Sequence, residues 1–357
     1  MSTHFHPLRI LDVRRETDDA VSILLDPESA AAAFRFTPGQ HLTLRANIGG
    51  EELRRNYSLC VAPDDGPLRI AIKRMPAGRF SNWAIDTLAA GDLIDAMQPR
   101  GHFTWTFDAS ERRNYLCFAS GSGITPILSL IKAGFAIEPA SHFTLLYGNR
   151  ASTSVMFLEE LAALKDRYLD RLRVHHFLTA EADDVELFNG RLDQARIAEV
   201  LESLVDPKSV DVAFVCGPGG MMDAAEQAMR EAGLPQDRVL TERFSAGDQP
   251  VEDGRLAAEL RQKAEGRTVV VTLEGRRRRI AFHAEQGSIL ANARAAGLPA
   301  PFACSAGVCA TCRAKLVRGD VKMAANYGLS SAEVAQGYIL TCQAIPLSED
   351  VHVDYDG

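Results

Sequence analysis

The sequence predicts a multidomain chain: an antiparallel β-barrel, then an α/β unit around a parallel sheet, then a smaller α+β unit. Three observations carry this. Residues 7–105 read as short strands broken by turn signals. Residues 114–243 alternate apolar strands with helical stretches. After a polar stretch, strands return from Thr268, and four of the seven cysteines fall in this last part. The boundaries are 1–108, 109–245, a linker over 246–267, and 268–357.

The barrel strands include VSILL (21–25), HLTLRA (41–46), NYSLC (56–60) and LRIAIKR (68–74), separated by turns such as TPGQ (37–40) and APDDGP (62–67). In the second part NYLCFAS (114–120) leads through GSG into the helical ITPILSLIKAGF. HFTLLYG (142–148) precedes the helical MFLEELAALKDRY (156–168). RVHHFLT (173–179) and VDVAFVCG (210–217) follow, the latter running into the helical GGMMDAAEQAMREAG (219–233). Residues 245–267 are polar and charged and read as a linker with room for a short helix. VVVTLEG and RRRRIAFHA form a hairpin, SILANARAAG a helix, and a cysteine loop follows.

The chain has 357 residues, 46% hydrophobic and 24% charged, with a formal net charge of −8. That charge argues against nucleic acid as a partner. The N-terminus has no signal-peptide pattern, and no apolar run reaches the roughly eighteen residues of a membrane span. A cytoplasmic protein with no membrane partner is expected, and there clustered thiols point to metal or redox chemistry rather than disulfides.

Cys304-x4-Cys309-x2-Cys312, with Cys342 further on, has the spacing that holds a plant-type [2Fe–2S] cluster. Four thiolates must converge on two irons while backbone N–H groups reach the sulfurs. Ser305, Ala306, Gly307, Ala310 and Thr311 are small enough to permit that. A zinc site, the alternative, commonly pairs two Cys-x2-Cys knuckles, and there is one. PFACSAGVCATCRAKL (301–316) and ILTCQA (339–344) resemble the plant-type ferredoxin domain over about residues 268–357. The resemblance implies a β-grasp fold; Ser305 departs from it, since many members carry a basic residue there.

RNYS (55–58) sets a cationic fork, a flat aromatic and a hydroxyl on one strand. Arg55 can pair with phosphate, Tyr57 can lie on a flavin ring, and Ser58 can donate toward its N5 edge. Alone, the same residues would suit a surface strand. IKRMPAGRFSNW (72–83) adds a glycine turn opening a helix, where Gly78, Arg79, Phe80 and Ser81 surround a pyrophosphate site. The two motifs together resemble the flavin domain of the ferredoxin–NADP⁺ reductase superfamily. That implies FAD, with Ile72 and Lys73 toward its ribitol or phosphate side.

Gly121-Ser122-Gly123-Ile124-Thr125-Pro126 follows a strand and opens a helix, with Pro126 where the dinucleotide fingerprint has its third glycine. Read alone it is a tight strand–helix turn. The superfamily resemblance makes Gly121, Gly123, Thr125 and Pro126 the pyrophosphate turn. It also sets Cys216, Gly217 and Pro218 of CGPGGMM by the nicotinamide. Ser58 and Cys216 are thus the residues expected at the reacting atoms. Asn149 and Arg150 of YGNR would approach the ribose, and Arg150 could face a 2′-phosphate, favouring NADPH over NADH. Against that, FLTAE (177–181) has Ala180 where NADPH-preferring relatives often have arginine. Phe244 would cover the other face of the flavin.

Nicotinamide gives up two electrons together, and a [2Fe–2S] cluster takes one; a flavin between them splits the pair. The chain shows no oxygen-activating pattern, so oxidation must occur on another protein. YGNR…SVMFLEELAALKDRY and CATCRAKLVRGDVKMAANYGLSSAEVAQGYILTCQAIPL resemble the reductase components of multicomponent oxygenases, in particular that of phenylacetyl-CoA epoxidase. The resemblance implies a di-iron oxygenase as electron acceptor. Reductases of other oxygenases, a redox-sensing iron–sulfur regulator and a stand-alone flavin reductase remain alternatives. RRRR (276–279) reads either as a docking edge for an acidic partner or as a charged edge strand that resists aggregation.

Overall fold

The structure is a computed structural model and describes residues 4–244, 251–329 and 331–357. Two compact units result, one taking in Phe5–Leu53 and Tyr57–Arg243, the other centred on Phe244–Gly357.

The larger unit begins with six strands: β1 (Phe5–Thr17), β2 (Ala20–Asp26), β3 (His41–Ile48), β4 (Glu51–Ser58), β5 (Leu68–Lys73) and β6 (Leu93–Met97). They pair in the order β4-β3-β6-β1-β2-β5, and a bridge between Leu59 and Ile70 joins the two ends into a barrel. β1 shifts register between Ile10 and Asp12 and again between Arg15 and Thr17. Such bulges bend a strand, which suits one that pairs with both β2 and β6. Leu8, Ile23, Leu25, Leu42, Leu44, Ile70 and Ile72 fill the barrel, and helix α1 (Arg79–Thr87) adds Phe80 and Ala84.

Next come β7 (Asn114–Ser120), α2 (Ile124–Ile137), β8 (His142–Asn149), α3 (Leu158–Arg167), β9 (Leu172–Leu178), α4 (Gln194–Ser203), β10 (Val212–Cys216), α5 (Gly219–Glu231) and β11 (Val239–Glu242). The sheet is parallel throughout, in the order β11-β10-β7-β8-β9. Every residue of β10 is buried, as a strand covered on both faces requires. The chain leaves β7 toward one edge and later returns to β10 on its other side. The crevice beyond the carboxyl ends of β7 and β10 is the switch point where open α/β sheets take ligands.

Barrel and parallel sheet share one core, with Cys60, Ala62, Ala71, Phe103 and Phe107 packed against Tyr115, Ile127 and Leu130. Polar clasps reinforce it. Ser129 Oγ donates to the Val61 carbonyl at 2.6 Å. Arg69 of β5 meets Glu160 of α3 at 2.6 Å, and Lys132 of α2 joins the same carboxylate. Below the sheet, fully buried Glu138 accepts from the Asp108 amide, Arg113, the Tyr115 hydroxyl and Ser141.

In the smaller unit, α6 (Val251–Lys263) precedes β12 (Thr268–Leu273), β13 (Arg276–Ala281), α7 (Ile289–Ala295), β14 (Arg313–Arg318), β15 (Val321–Met323), β16 (Tyr338–Leu340), β17 (Ala344–Pro346) and β18 (Asp350–Asp354). A mixed sheet in the order β13-β12-β18-β14-β16 packs α7 through Ile289, Leu290 and Ala293 against Val269, Val271, Phe282 and Val353. Much of the stretch expected as linker is α6, and Ala257, Leu260 and Ala264 pack it into this same core. Those residues lie three and then four apart, one face of a helix, and being mostly alanine they leave the stretch polar in composition. Residues 245–250, where the linker was expected to begin, lie outside the described residues. Among the described residues no helix is long and apolar enough to cross a membrane.

Candidate functional site

The strand ends of the larger unit bring Ser58 of RNYS to the switch point. Ser58 closes β4 and is 3% exposed; its hydroxyl donates to Glu242 Oε2 at 3.2 Å. Glu242 ends β11 beside Cys216, which ends β10. Burial pushes the Cys216 thiol well above its usual range, and the Glu242 charge adds to that. The imidazole of His41, first residue of β3, stands 3.6 Å from Glu242 Oε1. Sequence reading named Ser58 and Cys216 but neither His41 nor Glu242. An acid at a strand end and a histidine after a turn carry no motif, and only the sheet register joins them.

The other barrel residues divide between ligand-facing and supporting positions. Tyr57 is half-buried, with its ring 5.8 Å from Phe80, whose ring lies 5.5 Å from Trp83. Phe80 and Ile72 are enclosed in the barrel core, so their side chains support the site from behind. Arg55 is exposed. Gly78 precedes α1, and a β-carbon there would lie 2.5 Å from Ser81 Oγ. That hydroxyl accepts from the Met75 amide at 3.1 Å and fixes the turn. Arg79 pairs with Glu51 at 2.5 Å and Lys73 with Asp19 at 3.6 Å, both near the barrel surface. Phe244 is 46% exposed.

At the switch point a β-carbon on Gly123 would sit 2.1 Å from the Cys216 carbonyl oxygen, and one on Gly217 2.5 Å from Met221 Cε. The two βα turns therefore touch backbone to backbone. Gly121 has φ +53°, and its carbonyl accepts from the buried Tyr147 hydroxyl at 3.0 Å. Thr125 Oγ1 donates to Ser122 and Pro126 is buried in the first turn of α2. Pro218 precedes α5. Asn149 is 6% exposed; the Tyr147 hydroxyl lies nearby, yet neither amide atom has a hydrogen bond of good geometry. A buried amide without partners suits a site completed by a ligand. Arg150 is exposed, and Glu181 close by accepts from the amide and hydroxyl of Ser152, both at 3.0 Å.

Helices α1, α2 and α5 begin with no side-chain cap and no acid in the first turn. By contrast α4 is capped by Asp193, and α3 has Glu159 and Glu160 in its first turn. Uncapped N-terminal amides are free donors for phosphate oxygens. All three follow the glycine turns singled out in the sequence.

In the smaller unit the cysteine loop is wound through left-handed Ser305, Gly307 and Ala310, at φ +53°, +76° and +51°. The winding turns amides onto sulfur. Cys304 Sγ accepts from Ala306 N at 3.3 Å and Cys309 N at 3.4 Å, and Cys309 Sγ from Cys304 N at 3.5 Å. The Cys304 and Cys309 side chains stand beside one another, as do those of Cys312 and Cys342. A segment the sequence did not flag backs the loop: Tyr327 donates its amide to Gly307, and a β-carbon on Gly328 would lie 2.6 Å from the Val308 carbonyl. Gln343 Nε2 reaches Ser305 O at 3.0 Å, and Tyr355 is bonded through Thr341 to the Cys312 carbonyl. Two neighbouring pairs of thiols, one of them with backbone donors on sulfur, fit a two-iron cluster, which needs two thiolates per iron.

Three family models match the chain. Residues 7–105 match the oxidoreductase FAD-binding domain, 118–227 the oxidoreductase NAD-binding domain and 271–347 the 2Fe-2S iron-sulfur cluster binding domain. One subunit of 1,2-phenylacetyl-CoA epoxidase from Escherichia coli (strain K12) is 42% identical over 355 residues, 99% of this chain and 98% of that protein. The chain belongs to the oxygenase reductase-component family. It is an NAD(P)H oxidoreductase with FAD-binding, NAD-binding and [2Fe–2S] domains. The ferredoxin reductase component of 3-ketosteroid-9-alpha-monooxygenase from Mycobacterium tuberculosis (strain CDC 1551 / Oshkosh) is 35% identical over 368 residues, 100% of this chain and 97% of that one. The solved phthalate dioxygenase reductase matches at 26% identity and TM-score 0.60, covering 98% of each chain. That protein is a modular structure for electron transfer from pyridine nucleotides to [2Fe-2S].

Proposed function

We propose that this reductase component takes electrons from NADPH and delivers them to the di-iron oxygenase of a phenylacetyl-CoA 1,2-epoxidase. The observation that carries the electron path is the meeting of Ser58 with Glu242 and Cys216 at the switch point. Barrel and parallel sheet there bring a hydroxyl, a carboxylate and a fully buried thiol together at the strand ends. When bound, the flavin takes two electrons together and the cluster passes them on singly. The chain's own residues orient and shield. Tyr57 offers a ring face backed by Phe80, and Arg55 and Arg79 with the α1 amides meet phosphate. The amides of α2, with Gly121, Gly123, Thr125 and Pro126, cradle the nicotinamide dinucleotide's pyrophosphate. Gly217 and Pro218 border the nicotinamide, Asn149 meets the ribose, and Arg150 the 2′-phosphate. Cys304, Cys309, Cys312 and Cys342 hold the cluster.

The destination rests on the whole-length likeness to the epoxidase protein of Escherichia coli. The test is reconstitution of NADPH-driven turnover with purified oxygenase components. Epoxidation of phenylacetyl-CoA with the epoxidase oxygenase is the expected result. Turnover only with a steroid-ring oxygenase would transfer the assignment to the second reading, which the 35% whole-length identity to the ketosteroid enzyme favours. Iron and flavin analysis comes first, with FAD and two irons expected per chain.

A further inference from the structure

His41 is a buried imidazole that none of the motifs accounts for. It is 5% exposed at the start of β3. Its main chain is bonded both ways to Arg100, at 2.8 and 3.0 Å, so its position is fixed by the barrel. Gly101, at φ +128°, lies beside the ring, and a β-carbon there would come 3.1 Å from Nδ1. Nδ1 faces Glu242 Oε1 at 3.6 Å, an electrostatic contact longer than a hydrogen bond. Nε2 is buried and has no partner. A carboxylate before one nitrogen and nothing before the other favours the tautomer with its proton on Nδ1, directed at Glu242.

The second oxygen of the same carboxylate receives the Ser58 hydroxyl at 3.2 Å. A serine hydroxyl has one proton and two lone pairs. While that proton is given to Glu242, Ser58 turns only lone pairs to any other neighbour. Glu242 is therefore hydrogen-bonded at one oxygen and faces the imidazole with the other, and its orientation decides whether Ser58 is a donor or an acceptor.

We propose that His41 is a positioning residue: by holding Glu242 it commits the Ser58 hydroxyl to accept, not donate, a hydrogen bond at the flavin. This reverses the donor role expected for Ser58 from the sequence, and it rests on the reading that puts Ser58 at the flavin N5 edge. An acceptor there favours the ring nitrogen when it carries hydrogen, so the trio biases the bound cofactor toward reduction.

The test uses full-length holoenzyme with His41→Leu, which removes the donor, and His41→Gln, which keeps an N–H on a side chain of similar reach. FAD content, melting temperature and flavin midpoint potential are measured for each. With FAD content near wild type, the reduced-to-oxidised ratio at fixed poise falls roughly tenfold in His41→Leu, a potential lower by about 30 mV. His41→Gln recovers most of that shift, and Glu242→Gln alone reproduces it with no further change when combined with His41→Leu. Equal potentials in wild type and His41→Leu would overturn the inference, as would a shift that His41→Gln does not recover. Should Ser58→Ala leave the potential and the visible flavin spectrum unchanged while FAD stays bound, the placement of Ser58 itself fails. If His41→Leu does not retain FAD, His41→Gln set against Glu242→Gln decides: a wild-type potential in the first and a lowered one in the second supports the proposal, and equal values overturn it.

Discussion

Gly123 and Cys216 touch backbone to backbone: a β-carbon on the glycine would lie 2.1 Å from the cysteine's carbonyl oxygen and 2.6 Å from its carbonyl carbon. Neither is the loose end of a side chain, so the two βα turns must part if Gly123 gains a methyl. Gly123→Ala should cost about 1–3 kcal/mol of stability, the usual range for overpacking. Because the turns border the proposed nicotinamide crevice, flavin reduction by NADPH should slow while reduction by dithionite stays normal. Stopped-flow reduction with both donors, alongside thermal melts, checks this; equal slowing with both would place the effect elsewhere.

Cys342 lies outside the 304–312 loop, and its side chain stands beside that of Cys312. Cys342→Ser should lose most of its iron, keep full FAD, and retain NADPH-driven ferricyanide reduction. Electron delivery to the oxygenase should fall to background. Iron assay and the visible spectrum read the first part, and coupled turnover the second. Retained iron with full coupled turnover would remove Cys342 from the ligand set.

Burial pushes the Cys60 thiol up from its usual 9.0 to about 11, partly offset by the nearby Arg69 charge. The folded state therefore holds this proton more tightly than the unfolded chain. Its contribution is complete below pH 9 and lost as pH rises through 11, amounting to about 2–3 kcal/mol. Stability should fall over that window, and less steeply in Cys60→Ala. Urea titrations at pH 8, 9, 10 and 11 compare the slopes; parallel slopes would show that Cys60 is not among the groups responsible.

Arg150 is exposed at the end of β8, while the neighbouring Glu181 carboxylate is occupied by the amide and hydroxyl of Ser152. An exposed guanidinium at that place suits a 2′-phosphate. Arg150→Ala should raise KM for NADPH by roughly 10–100-fold, as loss of a charge-assisted hydrogen bond would, and barely change KM for NADH. Steady-state ferricyanide assays with both nucleotides decide it. Equal changes for the two would deny Arg150 a role in selectivity.

What could be read before the structure follows from how local each feature is. The cysteine loop, the glycine turns after β7 and β10, and the RRRR hairpin are written in consecutive residues. The α6 stretch reads as a linker with room for a short helix because its core-facing residues, Ala257, Leu260 and Ala264, are mostly small and sit among charges. Phe80 and Ile72, themselves expected at the flavin site, have their side chains in the barrel core. His41, Ser58 and Glu242 come from β3, β4 and β11, and no sequence pattern announces their meeting. Glu138 likewise gathers Asp108, Arg113 and Tyr115 from the approach to β7 and its start, beside its near neighbour Ser141.

β13 is an edge strand, and its Arg276, Arg277, Arg278 and Arg279 are all exposed. Among the described residues none of the four forms an ion pair, although many other arginines of the chain do, such as Arg45 with Asp95 and Arg318 with Asp350. Residues 268–357 hold nine Lys/Arg against eight Asp/Glu, so this edge leaves the unit near neutral in a chain of net charge −8. Two roles remain in competition, a docking edge for an acidic oxygenase and a charged edge that blocks strand pairing between copies. They separate on salt and on acceptor. Replacing all four with glutamine should lower oxygenase-coupled turnover several-fold at low salt, with the difference fading as added salt screens the wild type. Cytochrome c reduction is a poor control because that acceptor is itself cationic; ferricyanide reduction should stay constant in both. If coupled turnover is unchanged at low salt and the variant instead self-associates in sedimentation runs, the arginines keep the edge unpaired and do not dock a partner.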